Sequence, residues 1–273
     1  MTSHIYKLLV IDIDGTLLDG NKNISTENLK ALARVRNLGI KVSLSTGRSL
    51  KASLRIIEQL ALDNYHVSFD GALVSHPQLE EEVYADPIRP SVVKQMVEFA
   101  RKHELNLELY TATHYFTERE TWSTEAHRQF FGVHHTLTDF TGIWERERIL
   151  KGGIVPTTPQ EEAQANAFCR HFKDSLHFSQ ARTPAYPNII FINVLAPAVS
   201  KGKALEALAA HLELPLSEVV AVGDGSNDIS LLSSAGLAIA MGNACHEVKA
   251  IADYVTLDVD HSGLAVAIEK FLF

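Results

Sequence analysis

Ile5-Tyr6-Lys7-Leu8-Leu9-Val10-Ile11-Asp12-Ile13-Asp14-Gly15-Thr16 is an almost continuous apolar run that closes on two aspartates and a glycine. A run without polar alternation predicts a strand buried on both faces, as in a parallel sheet. Further along, Ser25 or Thr26 is placed to cap a helix. Leu29, Leu32, Ala33 and Arg36 fall on helical spacing, and Gly39 is a C-terminal stop. Residues 40–45 read as a second strand. Leu50, Leu54, Ile57 and Ala61 mark one face of a second helix, and residues 67–69 a third strand. This alternation predicts an α/β domain with a doubly wound, mainly parallel sheet. The rhythm returns near the C-terminus: helix 201–212, strand 219–222, helix 228–234, strand 237–240, an edge strand at Tyr254-Val255 and a closing helix 263–272.

Between these halves the pattern changes. A helix over 90–103 precedes short strand-like runs at 106–110 and 115–117, then a polar helix carrying Trp122 and Phe130. An apolar run at 149–155, a helix at 160–172 and strands near 176–179 and 189–194 follow. Strands in this order suggest an open antiparallel sheet with helices on one face. The expected organisation is a core of residues 1–81 and 194–273, interrupted by an inserted α+β domain over 82–193.

The bulk composition narrows the function. The chain has 273 residues, 46% of them hydrophobic, enough for a sizeable core. With 25 basic and 33 acidic residues and no basic block, it is a poor binder of nucleic-acid backbone by charge alone. The short apolar start soon meets Asp12 and Asp14, so it reads as neither signal peptide nor membrane span. The two cysteines, Cys169 and Cys245, show no metal or disulfide spacing, which suits reduced thiols in a cytoplasmic protein.

The polar residues gather at strand ends, where α/β sheets bind ligands. Asp12 and Asp14 are two apart, so along an extended chain they point the same way. Their mutual repulsion suits a metal plus an acid/base pair, or else a solvated Asp-Gly turn. Gly15 permits close backbone approach and Thr16 adds a hydroxyl. Ser45-Thr46-Gly47-Arg48 offers a hydroxyl and an open backbone just before a helix, an anion site or a helix cap. Lys201 opens a helix, either as a solvated lysine or as a cation turned to the site, with Lys203 the better candidate for the solvated one. Gly223-Asp224-Gly225-Ser226-Asn227-Asp228 supplies two carboxylates and an amide in one turn. That donor set suits Mg2+, or a capped glycine-rich turn.

In combination these four segments closely resemble the haloacid dehalogenase-like phosphatase superfamily, in its Cof-type branch with a type-II α+β cap. Asp12 to Thr16 matches its DxDGT motif. Ser45 to Arg48, Ser200-Lys201-Gly202 and Gly223 to Asp228 carry the second, third and fourth motifs, and Ala240 to Ala244 with Ala252 to Thr256 resemble the branch's C-terminal signature. The resemblance implies a Mg2+-dependent phosphatase in which Asp12 is the nucleophile and Asp14 the acid/base that protonates the departing alcohol and then activates water. Lys201 neutralises phosphoryl charge, and Thr46, the Gly47 amide and Asn227 orient the phosphoryl oxygens. Asp12, the Asp14 backbone carbonyl and Asp224 hold the metal, with Asp228 in or beside the first shell. One departure stands out: Asp70 occupies a position where relatives usually carry Asn. It either alters leaving-group preference or caps the next turn.

The resemblance further implies that the inserted domain closes over the core and selects the leaving group. Tyr110, His114, Tyr115, Arg119, Trp122 and Trp144 are candidate contacts there, as Arg48 and Asp70 are in the core, each also readable as packing or surface. The expected partner is a small phosphorylated metabolite (a sugar phosphate, a phosphorylated cofactor or a nucleotide), with no nucleic acid and no membrane. Alternatives are a phosphotransferase or mutase using the same Asp12 intermediate, a low-turnover phospho-ligand sensor, or a receiver-like module.

Overall fold

The computed structural model describes residues 6–79, 81–183 and 186–273. The expected start of the first strand at Ile5, and Met1 to His4 before it, lie outside the described residues, as does the side chain of Phe130. The chain divides into two compact units. One holds the residues up to Arg48, Ser53–Tyr84 and Ser200–Phe273; the other holds Ser49–Ala52 and Ala85–Val199.

In the first unit, β1 (Leu8–Asp12) is buried at every position, as its unbroken apolar sequence requires. β2 (Lys41–Ser45) runs parallel to it, with Asp12 opposite Ser45. The helix between them, Thr26–Asn37, begins where the Ser25 side chain accepts the Asn28 N–H. β3 (His66–Ser68) pairs parallel with β2 through Ser45 opposite Val67. Beside that pairing the Leu44 amide donates to the His66 ring at Nδ1, 3.1 Å away, so an imidazole completes the sheet's hydrogen bonding there. Burial, reinforced by His76, pushes the His66 pKa down to about 3, which keeps that nitrogen an acceptor.

The chain then reverses instead of crossing over again. A tight turn at Phe69–Gly71 puts Phe69 and Asp70 at φ 53° and Gly71 at φ 106°. β4 (Leu73–His76) returns antiparallel to β3, and β5 (Glu81–Ala85) forms the sheet edge. These two strands follow one another without a crossover helix and lie beyond the strands read from sequence.

The second unit contains β6 (Glu108–Tyr110), β7 (Tyr115–Thr117), β8 (Thr136–Leu137), β9 (Lys151–Ile154), β10 (His177–Thr183) and β11 (Tyr186–Leu195), in the order β10-β11-β9-β6-β7-β8. Neighbours are antiparallel except β7 and β8. Helices Pro90–Lys102 and Pro159–Phe172 bring Met96, Val97, Phe168 and Phe172 into its core.

Returning to the first unit, β12 (Val219–Gly223), β13 (Leu237–Ala240) and β14 (Tyr254–Val255) complete an eight-stranded sheet, ordered β14-β13-β12-β1-β2-β3-β4-β5. Leu8, Val10, Val67, Val219 and Ala221 pack against Leu205, Leu208, Leu231 and Leu232 of the helices Lys201–His211 and Ile229–Ser234. The division between units falls at Tyr84/Ala85 and Val199/Ser200. It departs from 81/82 and 193/194 because β5 belongs to the first sheet while β11 runs on in the second. No described helix is long and apolar enough to cross a membrane. Both cysteines are free.

Candidate active site

The register of the first sheet assembles the site. Asp12 lies opposite Ser45, and Ile11 opposite Val222, so the ends of β1, β2 and β12 come together at one edge. Ser200 caps the next helix by accepting the Lys203 N–H, which makes Lys201 its first residue and leaves Lys203 exposed. The Lys201 side chain is fully buried. Its ammonium donates to Asp12 Oδ1 and Asp228 Oδ1, each at 2.6 Å, and to the Ser45 carbonyl at 3.2 Å. An ammonium has three donors, and all three are used. Burial works against the charge, but Asp12, Asp228 and Asp70 outweigh it and raise the Lys201 pKa, so the cation persists at neutral pH.

Asp12, Asp224 and Asp228 present carboxylate oxygens within 4.8 Å of one another. Burial and the Asp228 charge raise the Asp12 pKa well above the usual carboxylate range, and Lys201 only partly opposes them. Burial and Asp228 likewise push Asp224 up to about 7. One ammonium does not balance the three carboxylates, of which Asp12 and Asp228 are buried and Asp224 partly so.

The turn after β12 is organised from within. Asp228 Oδ2 accepts the N–H groups of Asp224 (3.0 Å) and Gly225 (2.9 Å). Asp224 is held from outside: Oδ1 accepts the Thr16 hydroxyl at 2.9 Å, and Oδ2 the Asn243 amide at 3.2 Å, which also donates to the Gly15 carbonyl. Gly15 has φ 89°, and a Cβ there would collide with the Asp224 carboxylate.

Asp14 does not share its neighbour's surroundings. β1 ends at Asp12, so strand alternation does not carry through to Asp14. Its carboxylate meets the Arg48 guanidinium, with Nε donating to Oδ2 at 2.8 Å and Nη2 to Oδ1. Lys22 is near this pair: burial and Arg48 lower its pKa, and Asp14 acts the other way. Thr46 Oγ1 accepts the Arg48 N–H at 3.2 Å, closing the turn after β2. Asn227 Nδ2 donates to Asp70 Oδ1 at 2.9 Å.

A family model of haloacid dehalogenase-like hydrolases matches residues 9–268. The chain belongs to this family. It is 29% identical to the phosphatase YwpJ of Bacillus subtilis, covering 97% of this chain and 100% of that one. It is 27% identical to the 5-amino-6-(5-phospho-D-ribitylamino)uracil phosphatase YitU of the same organism, with 97% of each covered. A solved haloacid dehalogenase-like hydrolase from Bacteroides thetaiotaomicron superposes with a TM-score of 0.85 at 28% identity, over 98% of this chain and 100% of the other. Fold and motifs agree with the Cof-type branch, and the protein is a phosphatase.

The candidate residues of the hydrolase's second unit are engaged within that unit. Tyr110 and Tyr115 are buried and stacked, and both hydroxyls donate to the buried Glu108 carboxylate, at 2.7 and 2.9 Å. Arg119 donates to the Asn106 side chain and, at 2.9 Å, to the Glu104 carbonyl. His114 stacks on Phe116, Trp122 meets Tyr186 edge-on, and Trp144 lies under Lys94. Sequence reasoning missed Asn243, Lys22 and the Arg48–Asp14 pair. Asn243 had a signal as part of the C-terminal motif, and Asp14 and Arg48 stood in the first and second motifs without any cue that they pair.

Proposed function

We propose that the protein is a Mg2+-dependent phosphatase for small phosphate monoesters that works through a phosphorylated Asp12. The observation that carries this reading is the buried Lys201 ammonium, 2.6 Å from both Asp12 and Asp228, in a group whose third carboxylate is Asp224.

A divalent cation fits this donor set. The donors are hard oxygens, and the raised pKa values of Asp12 and Asp224 express excess negative charge that a cation would relieve. Asp12, Asp224 and the Asp14 backbone carbonyl would hold it. Asp228, with both oxygens already bonded to Lys201 and to the turn amides, would orient Asp224 from outside. When bound, Mg2+ supplies positive charge that lets an anionic carboxylate approach an anionic phosphoryl group.

The chain's own residues do the rest. Lys201 fixes Asp12 and neutralises charge on the phosphoryl oxygens. Thr46, the Gly47 amide and the remaining Asn227 amide hydrogen orient those oxygens. The free Asp12 oxygen attacks phosphorus, the bond to the ester oxygen breaks, and Asp14 gives that oxygen a proton. Asp14 then takes a proton from water, which attacks phosphorus and releases phosphate and the Asp12 carboxylate. The Arg48 fork spans both Asp14 oxygens, so the guanidinium must shift for either transfer.

The substrate class, a small phosphorylated metabolite, takes support from the relative that acts on a phosphorylated ribitylaminouracil. The inserted unit supplies leaving-group selectivity. Two free cysteines suit the reducing cytoplasm, where such metabolites occur.

The test is phosphate release from a panel of phosphorylated metabolites, with Mg2+ and with chelator, for wild type and Asp12→Asn. Turnover is expected only in wild type with the metal, together with acid-stable labelling of Asp12 by radioactive phosphate. An Asp12→Asn enzyme releasing phosphate at the wild-type rate would refute the nucleophile assignment.

A further inference from the structure

Asp70 is a buried carboxylate set beside Gly47 and Asn227, two of the residues assigned above to phosphate binding. It is 4% exposed. Its N–H donates to the Thr46 carbonyl at 3.0 Å, and the Phe69 N–H donates to the Arg48 carbonyl at 3.0 Å, so its turn is pinned over the Thr46–Arg48 backbone. A Cβ built on Gly47 would lie 3.0 Å from Asp70 Oδ1 and 3.2 Å from Oδ2, which places the carboxylate against that glycine. A Cβ on Gly71 would collide with the Ser200 carbonyl, so the same turn is wedged against the start of the Lys201 helix. Asp70 Oδ1 accepts one amide hydrogen of Asn227 at 2.9 Å. The left-handed backbone at Asp70, φ 53° and ψ 25°, is one that Asp, Asn and Gly adopt most readily.

We propose that Asp70 sets the site's affinity for phosphate: its fixed negative charge opposes the phosphoryl anion, and its oxygen occupies part of the Asn227 amide. The inference rests on the reading of Thr46, Gly47 and Asn227 as the phosphate-binding groups. A like charge held against Gly47 and Asn227 would disfavour an anion bound by them, a case of specificity achieved by repulsion. Free phosphate is therefore held weakly and leaves readily. Substrate affinity comes from the leaving group, so the phosphatase discriminates between esters and tolerates its own product.

Asp70→Asn removes the charge while keeping an oxygen that can accept from Asn227 and a residue type that suits the left-handed turn. Asp70→Gly removes the side chain and suits the same backbone, giving a second variant if the first folds poorly. Inorganic phosphate is titrated calorimetrically into wild type and both variants with Mg2+ present. Its inhibition constant is measured against p-nitrophenyl phosphate hydrolysis. Phosphate should bind both variants on the order of tenfold more tightly, with KM falling alongside and kcat not rising. A merely structural role predicts the opposite sign, since a loosened turn would weaken binding. Equal or weaker phosphate binding in both variants overturns the inference, and so does a lack of phosphate binding by all three proteins. If wild type lacks Mg2+-dependent turnover, the proposed function fails instead, and the calorimetric comparison still decides the role of Asp70.

Discussion

Replacing Lys201 with Met removes the ammonium and keeps much of its stem. The side chain it replaces is fully buried, and its two carboxylate partners are 10% and 1% exposed, so solvent cannot take over the lost interaction. Deleting one partner of a buried ion pair costs roughly 3–5 kcal/mol, because the other charge stays behind unbalanced. For a chain of this size about 1 kcal/mol corresponds to roughly 2–4 °C, so the melting temperature in chelator should fall by roughly 6–20 °C. The deficit should shrink as pH is lowered, since burial and Asp228 raise the Asp12 pKa and a protonated Asp12 no longer needs a cation. It should also shrink on adding Mg2+, which would stabilise the variant more than wild type by replacing part of the lost charge. Turnover should drop by about 10²–10³-fold, the loss typical of one preorganised electrostatic partner. Thermal melts of both proteins across pH, with chelator and with Mg2+, read all three effects. A variant melting within about 2 °C of wild type at every pH would show that the lysine does not bind this carboxylate group together.

Three further outcomes are expected. His66 is held neutral with a pKa of about 3, against about 6.5 unfolded. Its contribution is fully present above the unfolded value and is lost as pH falls toward the folded one, about 2 kcal/mol by pH 5. His66→Asn, whose side-chain oxygen can still accept the Leu44 amide, should flatten that limb of the urea-midpoint profile; an unchanged limb assigns it to other groups. Asp224, raised to about 7 by burial and Asp228, must lose its proton to take a cation. Mg2+ affinity should therefore fall by up to about tenfold per pH unit below 7, with proton release seen by calorimetry in two buffers; constant affinity down to about pH 5.5 would contradict this. In the second unit, burial opposes the Glu108 charge, but His127 and the hydroxyls of Ser123, Tyr110 and Tyr115 outweigh it. Glu108→Ala should thus destabilise the protein by about 3–5 kcal/mol and Glu108→Gln by much less, as read by denaturant midpoint; equal losses would mean the hydroxyls do not need that acceptor.

Much of the first unit was legible because its strands are covered on both faces and its polar residues stand where those strands stop. β1 and β12 announce themselves as apolar runs and β2 as a short alternating strand, and Asp12, Thr46 and Asp224 stand at or just after their ends. The reversal into β4 was less legible, although Asp70-Gly71 between apolar residues is a turn signal of the kind that starts a hairpin. Asp70 reads either as a specificity position or as a cap of the next turn; in the fold it lies within the turn itself. Lys201 and Lys203 cannot be ranked by spacing alone. The Ser200 cap decides between them, by fixing where the helix starts and therefore which lysine turns inward. In the second unit, Glu108 and Tyr110 are two apart on one strand and so share a face, and Tyr110 pairs with Tyr115 across the hairpin. That pattern pointed to a buried cluster before it pointed to a ligand contact. Asp14 marks where local reading ends. Alternation suggested that it shares the setting of Asp12, but β1 stops first. The Asp12 side chain is left 10% exposed against a fixed ammonium, while the 34%-exposed Asp14 side chain meets a guanidinium contributed from another strand end. The two proposed roles need that separation. A nucleophile works best when held rigid beside a fixed cation, whereas an acid/base needs contact with water and a partner able to withdraw. Two aspartates in one environment could not meet both demands, so it is the end of the strand, more than the motif's spacing, that allows the pair to divide the chemistry.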